Sequence, residues 1–253
     1  QGGFPEDRAL LVKIKEVFRT SRRTYGSPRV TKELRDKHRI TVNHKRFERL
    51  MHDAGLVAVH RKRYRVTTQS KHDHPVAENV LNRNFEVADA DRVWVADITD
   101  IRTYQGWLYM AAILDLSSRR VVGWALEPHM PEELVLQALE MALKDRRPGP
   151  GLVAHSDRGS QYAAEEYQAR LKAAGISCSM SRKGNCWDNA VMGSFLHTLK
   201  VECACQSNYA TCAEARRDMF SYIEGFYKTH RLHSALGDMS PADYEAKKVA
   251  LVA

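Results

Sequence analysis

No run of the roughly 18 apolar residues that a bilayer-spanning helix needs occurs in this chain of 253 residues. The longest candidate, Trp107 to Leu114, is closed by Asp115, so no membrane partner is expected. A secretory signal is missing too. The opening Gln1-Gly2-Gly3, without an initiator methionine, reads as a processing or cloning scar and is set aside from the fold. Cysteine is scarce: Cys178, Cys186, Cys203, Cys205 and Cys212 are odd in number and lack paired C-x-x-C spacing. That argues against a disulfide framework and a zinc site, and for reduced thiols in a cytoplasm. Internal repeats and low-complexity tracts are absent as well. Positive charge is what the chain has in excess. Lysine and arginine outnumber the acids 39 to 31, and the pI near 9.3 makes a polyanion the first partner to consider: nucleic acid before an acidic membrane surface. An apolar share of 43% over this length supports one large domain or two modest ones.

Leu10, Leu11, Ile14, Val17 and Phe18 recur at helical spacing and predict a helix over 7–20. Ser27-Pro28 supplies an N-cap and a first-turn proline for a second helix ending near His38. Asn43 caps a third, 44–54, with Phe47, Leu50 and Met51 facing inward and Gly55 as its stop. Three short helices with a tight turn suggest a helix-turn-helix module. Its last helix then offers His44, Lys45, Arg46 and Arg49 to a DNA groove, or simply to solvent. Arg61-Lys62-Arg63-Tyr64-Arg65 follows, four cations and an aromatic suited to phosphate contact and base stacking. From there to about Ala90 the chain is polar, with His72, His74 and Pro75, and reads as a linker.

The stretch Val93 to Thr103 alternates Trp94, Ala96 and Ile98 with Val95, Asp97 and Thr99, and both faces are largely apolar, which predicts a strand buried on both sides. An ionised Asp97 there costs several kcal/mol unless a cation or hydrogen-bond donors satisfy it, so the position is a metal ligand or part of a buried network. Strands over 107–115 and 120–126 complete an antiparallel meander across turns at 104–106 and 117–118. Pro131 opens a helix to about Lys144, burying Leu134, Leu136, Ala138, Leu139 and Ala142. A short strand over 152–155 delivers Asp157 at its carboxyl end, where open α/β sheets place ligands. A helix over 165–174, a strand over 176–180, and a mobile basic loop with Arg182, Lys183 and Gly184 follow. Asp188 or Asn189 caps a helix reaching about Cys203, with Val191, Phe195 and Leu199 inward and Asn189, Gly193, His197 and Lys200 on the opposite stripe.

That order, with one aspartate inside the first strand and another just past the fourth, resembles the ribonuclease-H-like fold of DDE transposases and retroviral integrases. More narrowly, Trp94-Val95-Ala96-Asp97-Ile98-Thr99, Gly106-Trp107-Leu108-Tyr109, the run Leu114 to Trp124, and His155-Ser156-Asp157-Arg158-Gly159-Ser160-Gln161-Tyr162 resemble insertion-sequence transposases of the IS3 family. Asp188-Asn189-Ala190, Ser194-Phe195, Thr198-Leu199-Lys200, Tyr227, Arg231, the run His233 to Gly237, and Ser240-Pro241 extend the likeness over roughly 10–244. The resemblance implies an α/β chain: a ribonuclease-H-like mixed five-stranded sheet flanked by helices (91–245), a basic linker (61–90) and an N-terminal all-α helix-turn-helix domain (7–60). It further implies metal-dependent cleavage and joining of DNA strands, with Mg2+ (or Mn2+) as two ions held by three carboxylates, because magnesium prefers hard oxygen ligands. Asp97 and Asp157 match the first two.

The third should be a glutamate, 35 residues intervening after Asp157 and with a basic residue seven positions further on; the chain has Gly193 there and Lys200 after it. A mid-helix glycine costs about 1 kcal/mol relative to alanine and carries no ligand. The resemblance thus implies an inactivated catalyst, and the scar-like start favours an engineered change over natural decay. Glu202 lies nine positions on, about 13 Å along a helix and at another azimuth, so it is a poor replacement. Asp100 and Asp115 read as surface or strand-end residues. A final helix over 212–228, burying Ala213, Met219, Ile223 and Phe226, leads to the basic cluster His230, Arg231 and His233, set to touch DNA phosphate or to pair with acids. Arg158, Arg182, Lys183 and Lys200 complete the DNA-facing set. Double-stranded DNA (terminal repeats and target), further copies of the chain in a synaptic complex, and fusion to an upstream reading-frame product are the partners implied, in a bacterial cytoplasm at the nucleoid. A non-catalytic repressor or architectural protein derived from a transposase is the rival that Gly193 raises, and a structure-selective nuclease of the same fold is a third reading.

Overall fold

The computed structural model describes residues 5–59 and 75–252. Three helices open the chain: α1 (Pro5–Thr20), α2 (Ser27–His38) and α3 (His44–Asp53). Ile14, Val17, Phe18, Val30, Leu34, Phe47, Leu50 and Met51 are buried between them, as the periodicity predicts. Asn43 caps α3 by accepting from the Lys45 N–H at 3.0 Å. At α2 the N-cap is Gly26 rather than Ser27, which lies inside the helix just before Pro28. The three-helix unit is not free-standing. Arg22 ion-pairs with Asp218 at 3.0 Å, and the Tyr25 hydroxyl donates to the His230 carbonyl and accepts from the Leu232 N–H, both at 2.9 Å.

Five strands, β1 (Val93–Thr103), β2 (Gly106–Asp115), β3 (Val121–Glu127), β4 (Val153–Ser156) and β5 (Ser177–Met180), form one mixed sheet in the order β3-β2-β1-β4-β5. β1, β2 and β3 pair antiparallel, as the meander requires, while β4 joins β1 and β5 joins β4 in parallel. Gly106 takes φ of +124° at the β1–β2 turn. Gly123 lets β3 meet α4 (Glu132–Arg146): a Cβ there would lie 2.1 Å from the Ala138 carbonyl oxygen. α4, α5 (Ser160–Ala163) and α6 (Glu165–Ala173) cover one face of the sheet around Trp94, Ala96, Val122, Leu134, Val135 and Leu139. Val135 is buried there, and Leu136, taken from the sequence as a core position, is only half-buried.

On the other face lie α7 (Ala190–Leu199), which runs into a π turn at Lys200–Ala204, and α8 (Cys212–Tyr222), which runs into another at Ile223–Tyr227. The single helices expected over 188–203 and 212–228 are thus each α followed by π. Ala213 is exposed and Ala215 takes its place in the core. α9 (Pro241–Val252) ends the described chain. Residues 75–90, read as linker, are partly a strap on the sheet edge: Leu81 is buried, the Val80 and Leu81 N–H groups donate to Ser179 Oγ, and Met180 N–H donates to the Glu78 carbonyl. All five cysteines are unpaired, and among the described residues no helix is long and apolar enough to cross a membrane.

Candidate active site

The parallel register Val93↔Val153, Trp94↔Ala154, Val95↔His155, carried two residues further, sets Asp97 level with Asp157. Two carboxylates from separate parts of the chain therefore converge. Asp97 Oδ1 accepts the Ile98 N–H at 2.8 Å, and Asp157 Oδ1 accepts the Gly159 N–H at 2.9 Å. Burial first, then the neighbouring Asp157 charge, push the Asp97 carboxyl up to about 8; the Ile98 N–H and Lys200 pull the other way. A carboxylate displaced by burial and by a facing like charge gains from an added cation.

The third wall is α7. Asn189, just ahead of it, is buried and donates from Nδ2 to the Ala96 carbonyl at 2.9 Å, one residue before Asp97, while its Oδ1 finds no partner among the described residues. One helical turn later stands Gly193, exposed, where a Cβ would meet nothing within 4 Å. Among the described residues no group of three or more His, Cys, Asp or Glu is placed to hold a metal ion. Two hard oxygen ligands are present and suit a divalent cation such as Mg2+; room for a third side chain is present, and the third carboxylate is not.

Below the acids, Tyr162 of α5 is buried and its hydroxyl has no hydrogen-bond partner among the described residues. Burial, with Asp97, Tyr167 and Asp157 nearby, holds it well above the usual phenol value. His155 on β4 bridges Ser179 Oγ (2.9 Å) and Ser181 Oγ (3.1 Å), and burial depresses it to about 4, so it is neutral. These residues lie inside the quoted motifs, yet nothing in sequence spacing signals that Tyr162 is orphaned or that His155 ties β4 to β5.

Residues 88–186 and 174–241 match two families, each described as integrase core domain, and residues 5–64 match an HTH-like domain. The 31 kDa protein of insertion element IS600 from Shigella sonnei is 42% identical over 241 residues, 95% of this chain and 88% of that protein. Transposase InsF of insertion sequence IS3A from Escherichia coli K12 is 40% identical over 234 residues, 92% of this chain and 81% of that protein. The chain belongs to the IS3 family of insertion-sequence transposases. The five-stranded mixed sheet flanked by helices spans the residues that match the integrase core domain. The catalytic core of BIV integrase superposes with a TM-score of 0.44 at 17% identity, covering 64% of this chain and 99% of that one.

Several cations of this IS3-family chain that the sequence sets toward DNA are engaged within the protein. Arg46 and Arg49 both pair with Asp7, at 2.6 and 2.9 Å, because α1 presents its acidic first turn to α3. Arg182 is no mobile loop residue. Its N–H, Nε and Nη2 all donate to Asp188 (2.9, 2.8 and 2.7 Å), which also accepts from Arg83 Nε and Asn79 Nδ2. Asp188 is consequently an anchor in a 3-10 turn (Cys186–Asn189), not a helix cap, and these partners hold its pKa far below the usual carboxylate range. Arg231 is buried and pairs bidentately with Glu202 (2.8 and 2.7 Å), so of the two alternatives for it the acid wins. His233 stacks edge-on against Tyr227, and His230 is exposed. Lys200 ends on Asp100 at 3.0 Å with 12% of its side chain exposed, where sequence aimed it at substrate. Asp115 takes the strand-end of the two places the sequence offers, closing β2, and is fully buried there, accepting from Asp91 N–H and from Ser118 N–H and Oγ. Arg158 Nε donates to the Ser181 carbonyl at 2.6 Å. Lys45 and Lys183 remain exposed; Arg61, Lys62, Arg63 and Arg65 lie outside the described residues.

Proposed function

We propose that this chain is a DNA transposase of the strand-cleaving and strand-joining kind whose third metal ligand has been replaced by Gly193, leaving DNA binding without efficient chemistry. The observation that carries it is the open position at Gly193 on a helix pinned by Asn189 beside Asp97 and Asp157. Asp97 and Asp157 would hold the divalent ions, Mg2+ or Mn2+, with a glutamate at 193 in the intact site. Bound there, the ions supply activation of the attacking hydroxyl and stabilisation of the leaving oxygen. This chain's residues do the positioning: β1 and β4 fix the two carboxylates, and Asn189 fixes α7 against them.

The relatives' names, transposases of insertion sequences, support DNA as substrate, and double-stranded DNA, as terminal repeats and target, is the form this reading gives it. A synaptic complex of several copies, an upstream reading-frame partner, a nucleoid setting, and division into 7–60, 61–90 and 91–245 belong to the same reading. Gly193→Glu tests it. The vacant space admits the side chain, and magnesium-dependent strand transfer with the element's end sequences should rise about a thousandfold, equivalent to ~4 kcal/mol of transition-state stabilisation. Robust joining by the unmodified chain would refute the inactivity. No gain in Gly193→Glu, with DNA binding intact, would favour the repressor or architectural reading that Gly193 raises.

A further inference from the structure

Within one short turn, Cys186–Asn189, three adjacent side chains have sharply different environments. Trp187 is 69% exposed, Asp188 0% and Asn189 6%. Such a large exposed indole is not held by burial, so its position must come from the backbone beneath it. That backbone is fastened on every side. The Asp188 carboxylate receives five hydrogen bonds from Arg182, Arg83 and Asn79. Asn189 reaches the carbonyl next to Asp97. Ser181, at the start of the same loop, donates from Oγ to the Ser156 carbonyl and accepts from Arg158 at its own carbonyl, on either side of Asp157. A buried carboxylate with two arginines is an expensive way to pin a surface loop, and what it pins in place is a turn that carries an exposed indole two residues before Asn189, the residue that reaches the carbonyl next to Asp97.

We propose that Trp187 is a base-stacking wedge, its indole taking the face of an unpaired nucleobase at the DNA end delivered to Asp97 and Asp157. The proposal rests on the DNA-processing reading above and adds the group that meets the opened end. An aromatic face stacks on any base, so the contact is indifferent to sequence, and a rigid support spares the ordering cost that a mobile loop would incur. Exposed Lys183, four residues earlier in the loop, adds charge for the adjoining phosphates.

The test uses the full chain and two DNA probes of one sequence: a duplex with a forked, unpaired end carrying 2-aminopurine in the fork, and its fully paired counterpart. The unmodified chain should bind the forked probe roughly tenfold more tightly than the paired one and quench its 2-aminopurine. Trp187→Ala should lose the preference and the quenching while keeping its affinity for paired DNA and its melting temperature; Trp187→Phe should restore most of both. Equal quenching and equal fork preference in Trp187→Ala would overturn the wedge and leave the DNA-binding reading standing. Failure of the unmodified chain to bind either probe would overturn both.

Discussion

Two charge pairs in this molecule, one buried and one half-buried, are satisfied in opposite ways. Arg231 and Glu202 are of opposite sign, bidentate, and completed by the Tyr222 hydroxyl donating to Glu202 at 2.7 Å. Asp97 and Asp157 are of like sign, brought level by strand register, with a tyrosine hydroxyl beneath that has no partner among the described residues and a glycine where a third side chain would fit. The first arrangement is closed and leaves nothing for a ligand to do. The second is stable only against the rest of the fold and gains from whatever positive charge enters it. Sequence left Arg231 open between DNA phosphate and an acid and set Asp97 and Asp157 as metal ligands; the opposite sign of the first pair and the like sign of the second are what set the two apart.

The largest effect should come from breaking the closed pair. Arg231→Met leaves Glu202 buried with only Tyr222, a loss of about 3–5 kcal/mol, or roughly a 10 °C fall in melting temperature for a chain of this size. Unchanged melting with weakened DNA binding would instead make Arg231 a phosphate contact and dissolve the comparison. The neighbouring His233 gives a smaller, pH-dependent effect. Burial first, then Arg231, Arg29 and Arg119, depress it to about 3. The unfolded histidine binds its proton near 6.5, so the folded state loses stability as pH falls from there toward 3, by about 2 kcal/mol at pH 5. His233→Gln should flatten that part of the melting-temperature profile between pH 7 and 5. A profile as steep as that of the unmodified chain would show that the imidazole is already charged in the fold.

The five strands, the two aspartates and the vacancy at 193 were legible because period-two hydrophobicity, strand-end placement and motif spacing are local signals. The fate of the cations was not, because it depends on partners far away in sequence. Arg46 and Arg49 meet Asp7 only once α1 and α3 pack, and Arg231 meets Glu202 only through the π turn after α7. Arg83 carried no sequence signal at all, yet its bond to Asp188 helps convert an apparent flexible loop into the support under Trp187. Of the two caps the sequence offers for α7, Asn189 holds the position, without a side-chain cap bond, and Asp188 is taken by two arginines instead.

The effect that bears most directly on the open pair is that of Asp97→Asn. The amide keeps an oxygen to accept the Ile98 N–H and removes the group that must bind a proton or bear a charge facing Asp157. Because the folded carboxyl sits near 8 against an ordinary value near 4, the unmodified chain binds the proton more tightly folded than unfolded, and it loses stability as pH rises across that window. Without added metal at pH 7.5, Asp97→Asn should therefore melt higher, by about 2–4 °C for each kcal/mol of repulsion relieved. Magnesium should raise the melting temperature of the unmodified chain and leave that of Asp97→Asn nearly unmoved, since a single carboxylate holds the ion poorly. A variant that melts lower than its parent in metal-free buffer would mean the two acids are already compensated within the fold. The contrast between the closed and the open pair would then fail at the open end.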